Sequence, residues 1–157
     1  ERTNIADVDR AKRELGRLKR IAKAEGVWDS TVDGPSAARF RDQIALLEVD
    51  VVALEMLVLR VLSAEKSGKN SLDIAGLLKI KGSEIQQRYA ELMMLAAGPF
   101  STPFIEEAME AGWQGNFPGG EVANAPLAAT YFNMRKTTIY GGSNEVQRNI
   151  VAQTVLG

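Results

Sequence analysis

The sequence predicts an all-α fold: four main helices plus a broken one, gathered as a bundle with a long loop insertion. Three observations predict it. Apolar residues recur at three-and-four spacing over most of the 157 residues, the stripe that marks one face of a helix. No run alternates apolar and polar residues as a half-buried strand would, and no repeat or low-complexity tract stands out. Glycine, proline and short polar residues gather at a few places, which read as the connections.

The first helix is expected from Glu1 to Glu25, with Ile5, Val8, Ala11, Leu15, Leu18, Ile21 and Ala22 on its stripe and Gly26 as its stop. Its other face, rich in Arg and Lys, reads as solvated. Residues 27–35 form a loop by composition, and Pro35 suits the opening of a second helix expected from Ser36 to Ser67. Phe40, Ile44, Leu47, Val51, Leu54, Val58 and Val61 make its seam, widened by Ala45, Val52, Met56, Leu57, Leu59 and Leu62. So broad a seam implies contact on more than one side, within a bundle or between subunits. Gly68-Lys69-Asn70 makes a turn, and Ser71 is expected to cap a third helix that runs to about Ala97. Its core face is Leu77, Leu78, Ile85, Tyr89, Leu92 and Met93.

From Gly98 to Asn124 prolines and glycines break the pattern, and only Pro103 to Ala111 fits a short helix. A segment this long is more often a functional or interaction loop than filler. Phe100, Phe104, Trp113 and Phe117 put large apolar faces on it, so they are expected to cover a pocket mouth or a subunit contact, or else to pack back on the bundle. Asn124 is expected to cap the broken helix, with Pro126 in its first turn and an end near Thr138. Gly141-Gly142 interrupts before a last helix from Ser143 to Leu156.

A chain of this length suits one domain and buries roughly 70% of its unfolded surface. With 45% hydrophobic and 25% charged residues the composition excludes wholesale disorder and collagen. Nineteen Lys and Arg against 20 Asp and Glu leave a net charge of -1, too little field to drive binding to nucleic acid. The most apolar stretch, Val49 to Leu62, carries Asp50, Glu55 and Arg60 and does not read as a membrane span. The absence of both Cys and His removes disulfides, thiolate nucleophiles, imidazole catalysis and the usual zinc and diiron sites, so no metal is expected. Acid and base work then falls to carboxylates, Lys or Tyr. The start, Glu1-Arg2-Thr3, has no Met and no signal-like segment, and reads as that of a fragment or a processed chain.

The segment Ile139-Tyr140-Gly141-Gly142-Ser143-Asn144-Glu145 places two glycines ahead of a helix capped by Ser143, so free backbone N–H groups and the positive end of a dipole face one small region. By itself this is equally a turn between packed helices. The longer run from Tyr140 through Ala152, with Val155-Leu156-Gly157 after it, resembles the C-terminal signature of the acyl-CoA dehydrogenase family, and the Glu1-Arg2 pair matches a second family position.

That resemblance implies a four-helix up-and-down bundle, the C-terminal domain of an enzyme whose amino-terminal helical and middle β domains are absent from these residues. It implies FAD-dependent α,β-dehydrogenation of an acyl-CoA thioester, in which a carboxylate removes the α-proton as the β-hydride passes to the flavin. One branch of the family carries its base directly after the motif tyrosine; here Gly141 stands there, as in the other branch, whose base is the Glu of the Glu-Arg pair. Glu1 is therefore the expected base, Arg2 a contact to the CoA part, and Tyr140 and Gly141 parts of the acyl pocket. Ser143 and Glu145 match positions that touch the flavin nucleotide, although helix capping explains both residue types equally well. Arg39 and Arg41 lie where the family places an arginine on a neighbouring flavin, and neither is assigned.

The expected partners are an acyl-CoA substrate, an electron-transfer flavoprotein or similar acceptor, and further subunits in a homo- or hetero-tetramer; a bacterial cytoplasm is expected ahead of a mitochondrial matrix. One departure stands out: where family members have Gln and a Gly-Gly-x-Gly run for flavin binding, this chain reads from Met93 to Phe100 without them. Two alternatives follow, a non-catalytic assembly subunit and a flavin oxidase or monooxygenase on the same fold.

Overall fold

The computed structural model describes residues 7–27, 35–67, 72–117 and 122–156. Five α-helices occur among them: α1 (Val8–Ala24), α2 (Pro35–Lys66), α3 (Leu72–Ala96), α4 (Leu127–Met134) and α5 (Asn144–Leu156). Helix α1 is capped at its start by Asp7, whose carboxylate, on a non-helical residue, accepts the Arg10 N–H at 2.8 Å; the expected stretch from Glu1 to Ala6 lies outside the described residues. It ends where the Glu25 N–H turns back to the Ile21 carbonyl and the Gly26 N–H to the Lys23 carbonyl. Ala11, Leu15, Leu18, Ile21 and Ala22 are its buried face, the stripe that the spacing marks.

Charge pairs give the relative direction of the helices. Lys12 donates to Glu55 at 2.6 Å and Lys19 to Glu48 at 2.9 Å, so numbers rise along α1 as they fall along α2. On the opposite flank of α3, Gly76 lies against Val151 and Glu84 accepts from Arg148 at 2.8 Å, so α5 runs antiparallel to α3. The order is up, down, up, down, with short α4 inserted before the last helix. Helix α3 is the centre, packing against α1, α2, α4 and α5. Leu18, Ile44, Leu47, Leu54, Leu78, Leu92 and Met93 are nearly inaccessible and fill the space between α1, α2 and α3. Truncating any of these leucines to Ala costs about 2–5 kcal/mol, whereas each exposed ion pair contributes about 0–1 kcal/mol. The apolar seam therefore holds the bundle and the charges set its surface.

Three local expectations are corrected. Only Glu107–Met109 forms a turn of 3-10 helix within residues 103–111, where Glu106, Glu107 and Glu110 repel at helical spacing. Asn124 does not cap α4; it ends the 3-10 turn Val122–Asn124 and is buried, and Pro126 holds the cap position, its carbonyl accepting the Thr130 N–H at 2.9 Å. The broken helix then tightens from α4 into the 3-10 turn Arg135–Thr138. Of the loop aromatics, Phe117 is buried, Trp113 is half-buried and Phe104 is 60% exposed, so the segment packs back in part only. The Ser101 hydroxyl anchors its start on the Met94 and Gly98 carbonyls, and Arg17 of α1 holds its end through the Ala123 carbonyl at 3.0 Å, beside a cleft of about 350 Å³.

The outer face of α2 meets solvent. Leu46, Val49, Val52, Met56, Leu59 and Leu62, spaced by three and four, are 48 to 65% exposed. Among the described residues no helix is long and apolar enough to cross a membrane.

Candidate functional site

Gly76, Lys79, Ser83 and Gln87 follow one another on α3 at helical spacing, a stripe of small and polar residues of which the first three are buried. This stripe receives the segment from α4 to α5. Gln87 Nε2 donates to the Met134 carbonyl (3.3 Å), the Arg135 carbonyl (3.1 Å) and Thr138 Oγ1 (3.3 Å), supplying donors to carbonyls that the end of α4 leaves without partners. In return Arg135 donates to the Gln87 carbonyl at 3.1 Å while its guanidinium lies 4.4 Å over the Tyr131 ring. Thr137 is buried beneath the turn and bonded to the Met134 carbonyl.

The chain then leaves the bundle surface. The Tyr140 N–H closes on the Lys136 carbonyl, and Gly141 and Gly142 adopt φ of 69° and 89°. Two successive left-handed residues cost an L side chain about 1–2 kcal/mol each, so this turn needs glycines. At Gly142 a Cβ would also stand 2.5 Å from Gln147 Nε2, because the turn curls over that buried amide. Ser143 starts α5: its hydroxyl accepts the Val146 N–H at 3.4 Å and its carbonyl the Gln147 N–H at 2.9 Å.

Beneath the turn lies a polar group that the sequence reading missed. Lys79 is 0% exposed and donates to Asn144 Oδ1 at 2.7 Å, and Ser83 Oγ lies 3.1 Å from the same oxygen, sharing its proton between it and the Ile80 carbonyl at 2.9 Å. Burial pushes the Lys79 ammonium below its usual pKa, with Glu145 opposing the shift. The signal in the sequence was the polar stripe itself, since a lysine at a core-facing register position is seldom buried without a purpose-built partner.

The predicted residues Tyr140, Gly141, Ser143 and Glu145 all lie on this one turn. Tyr140 is 46% exposed and Gly141 and Glu145 are exposed, while Ser143 is half-buried. The Glu145 carboxylate is held below its usual pKa first by its own backbone N–H, then by the Ser143 hydroxyl, with Arg148 and Lys79 adding to the effect. The Glu145 carboxylate is thus favoured as an anion on this turn. Glu1 and Arg2 lie outside the described residues. Arg39 is exposed and Arg41 half-buried near the start of α2.

The turn offers an exposed left-handed backbone and the first N–H of α5, with the Ser143 hydroxyl and the Glu145 carboxylate beside it. Donors of that kind suit phosphate or carbonyl oxygens, and the carboxylate suits a sugar or ring N–H donor, so the residues present fit the polar part of a nucleotide.

Comparison with known proteins bears on this site. The family model for the acyl-CoA dehydrogenase C-terminal domain matches residues 5–156. Among solved structures, the FAD complex of PigA superposes with a TM-score of 0.57 at 15% identity, covering 92% of this chain and 34% of that one, a likeness of fold. The chain thus spans about a third of the length of that structure. No curated protein matches the chain.

Proposed function

Because the chain belongs to the acyl-CoA dehydrogenase C-terminal domain family, we propose that it is the helical domain of a flavoenzyme that introduces an α,β double bond into an acyl-CoA thioester. The observation that carries this reading is the exposed Gly141-Gly142 turn at the start of α5, with Ser143 and Glu145 beside it, inside a family match over residues 5–156. In this reading Ser143 and Glu145 hold the nucleotide part of FAD. Bound there, FAD supplies the acceptor for the hydride that leaves the β-carbon. Glu1 takes the α-proton on its carboxylate, Arg2 meets the CoA part, and Tyr140 with Gly141 shapes the acyl pocket. A glycine at 141 leaves room there and no carboxylate, and Glu145 is stabilised as an anion, so Glu1 is the base that the family pattern leaves to this chain.

The outer face of α2 supports assembly into a homo- or hetero-tetramer, since six exposed apolar side chains at helical spacing form a surface that suits a subunit contact. Electrons then pass to an electron-transfer flavoprotein or a similar acceptor. One observation favours a second reading, a non-catalytic assembly domain: α3 ends in Met93, Ala96 and Ala97, buried and apolar, where a flavin-binding Gln and glycine run would otherwise offer donors.

Glu1→Gln in the intact protein separates the two. The expected result is lost turnover on acyl-CoA with FAD still bound and the fold unchanged. Adding Gly141→Glu to Glu1→Gly is expected to recover part of the activity, since both positions face one α-carbon in this reading. Unchanged turnover in Glu1→Gln removes the base assignment, and a wild-type protein that takes up no FAD leaves the assembly reading.

A further inference from the structure

Lys79 is costly where it stands. An ammonium without solvent access loses hydration, and the start of α5 beside it carries the positive end of a helix dipole. Its hydrogen-bond partner is a neutral amide oxygen, and no carboxylate lies within ion-pair distance of it among the described residues. A methionine would bury a stem of similar length without the charge, and such replacements of buried ions are often neutral or stabilising. Stability therefore does not account for a lysine here.

Geometry does. Asn144 is the first residue of α5, and its Oδ1 accepts from Lys79 Nζ at 2.7 Å, while Ser83 Oγ, one helical turn along α3, lies 3.1 Å from the same oxygen and shares its one proton between it and the Ile80 carbonyl at 2.9 Å. With the ammonium on Oδ1 and the shared hydroxyl beside it, both reaching it from α3, the Asn144 side chain has a single orientation. One turn further along, Gly76 lets Val151 and Gln147 approach so closely that a Cβ would stand 2.9 Å from Val151 Cγ2, and the same Gln147 lies under Gly142. The start of α5 is thus gripped from α3 at Asn144 and braced at Gln147, with the exposed glycine turn just ahead of it.

We infer that Lys79 is a positioning residue, which through Asn144 fixes the Gly141-Gly142-Ser143 turn against α3 and so holds the nucleotide-facing groups in one arrangement. The role in cofactor binding rests on the flavin reading given above; the grip on the turn does not.

Hydrogen exchange on the intact protein tests the grip, with FAD affinity measured beside it. In Lys79→Met the Val146 and Gln147 amides, which close on Ser143, are expected to lose at least tenfold in protection, while α1, α2 and the middle of α3 keep theirs and thermal stability is unchanged or higher. Asn144→Asp keeps the acceptor and is expected to retain the protection. Asn144→Leu is expected to lose it, and Lys79→Met combined with Asn144→Leu to be no worse than either alone. Unchanged protection in Lys79→Met, additive losses, or a Lys79→Met protein that is unstable throughout or fails to fold each overturn the proposal, the last two by making the lysine a stability residue. FAD affinity is expected to fall at least tenfold in Lys79→Met, and an unchanged affinity with a loosened turn overturns the link to the cofactor. If the wild-type protein binds no FAD, the flavin reading fails while the exchange result still decides the grip.

Discussion

Tyr89 and Lys79 sit ten residues apart on α3, both buried, and burial moves their ionisation in opposite directions. The Tyr89 hydroxyl has no partner among the described residues that meets hydrogen-bond geometry, although Arg10 is near enough to favour its ionised form; desolvation dominates and raises its pKa above 10.0. The native state then keeps a proton that the unfolded chain releases, so this contribution is complete below 10.0 and is lost as pH rises through the higher native value. Lys79 runs the other way: its native pKa lies below 10.5, the unfolded chain binds the extra proton in the window between, and stability rises with pH there. Urea titrations across the alkaline range should therefore show a shallower decline in Tyr89→Phe and a steeper one in Lys79→Met than in the wild type. A parallel set of curves would remove both assignments. At neutral pH Tyr89→Phe is expected to change stability by less than about 1 kcal/mol, because a hydroxyl without a partner contributes little.

At the scale of elements, the packing of α5 on α3 depends on Gly76. A Cβ there meets Val151 Cγ2 at 2.9 Å and Gln147 Oε1 at 3.4 Å, so one of the two helices must shift to admit it. Against this, alanine is favoured over glycine inside a helix by about 1 kcal/mol. Gly76→Leu is expected to cost about 1–3 kcal/mol by overpacking. Gly76→Ala should become stabilising only in a Val151→Ala background, where the clash is gone and the propensity gain remains. Chemical denaturation of the two single variants and the double variant checks this, and additivity would mean that the helices are not in close contact at that point.

For the whole molecule, the question is what covers α2. Its inner face closes on α1 and α3, but the outer stripe from Leu46 to Leu62 has no partner helix among those packed on α2. Val52→Lys with Leu59→Lys should leave the fold of each chain intact, since exposed substitutions usually change stability by less than about 0.5 kcal/mol. Sedimentation velocity at micromolar concentration should then show smaller particles than the wild type. A wild-type protein that is monomeric and free of aggregation under the same conditions would remove α2 as an interface. The same stripe explains why the second helix looked two-sided in the sequence: one side is core and the other is surface of the single chain.

The sequence by itself determined the helices, because a period of 3.6 residues written in leucine, isoleucine and valine has one economical burial, and it determined the glycine turn, because two adjacent glycines before a Ser cap have few other uses. It also carried the family signature in the last helix. Tertiary structure alone decided the rest. Asn124 looks like a cap, yet Pro126 takes that place because the asparagine, itself buried, already ends a 3-10 turn. Residues 103–111 carry helix formers, but Glu106, Glu107 and Glu110 repel at helical spacing and Phe104 and Met109 stay exposed without docking, so only one turn forms. Lys79, Ser83 and Asn144 are 61 to 65 residues apart in the pairs that join them, and nothing local in the chain announces a hydrogen bond at that separation. Local periodicity fixes which face of a helix is buried; which polar groups meet on it depends on how two helices distant in sequence come to lie side by side.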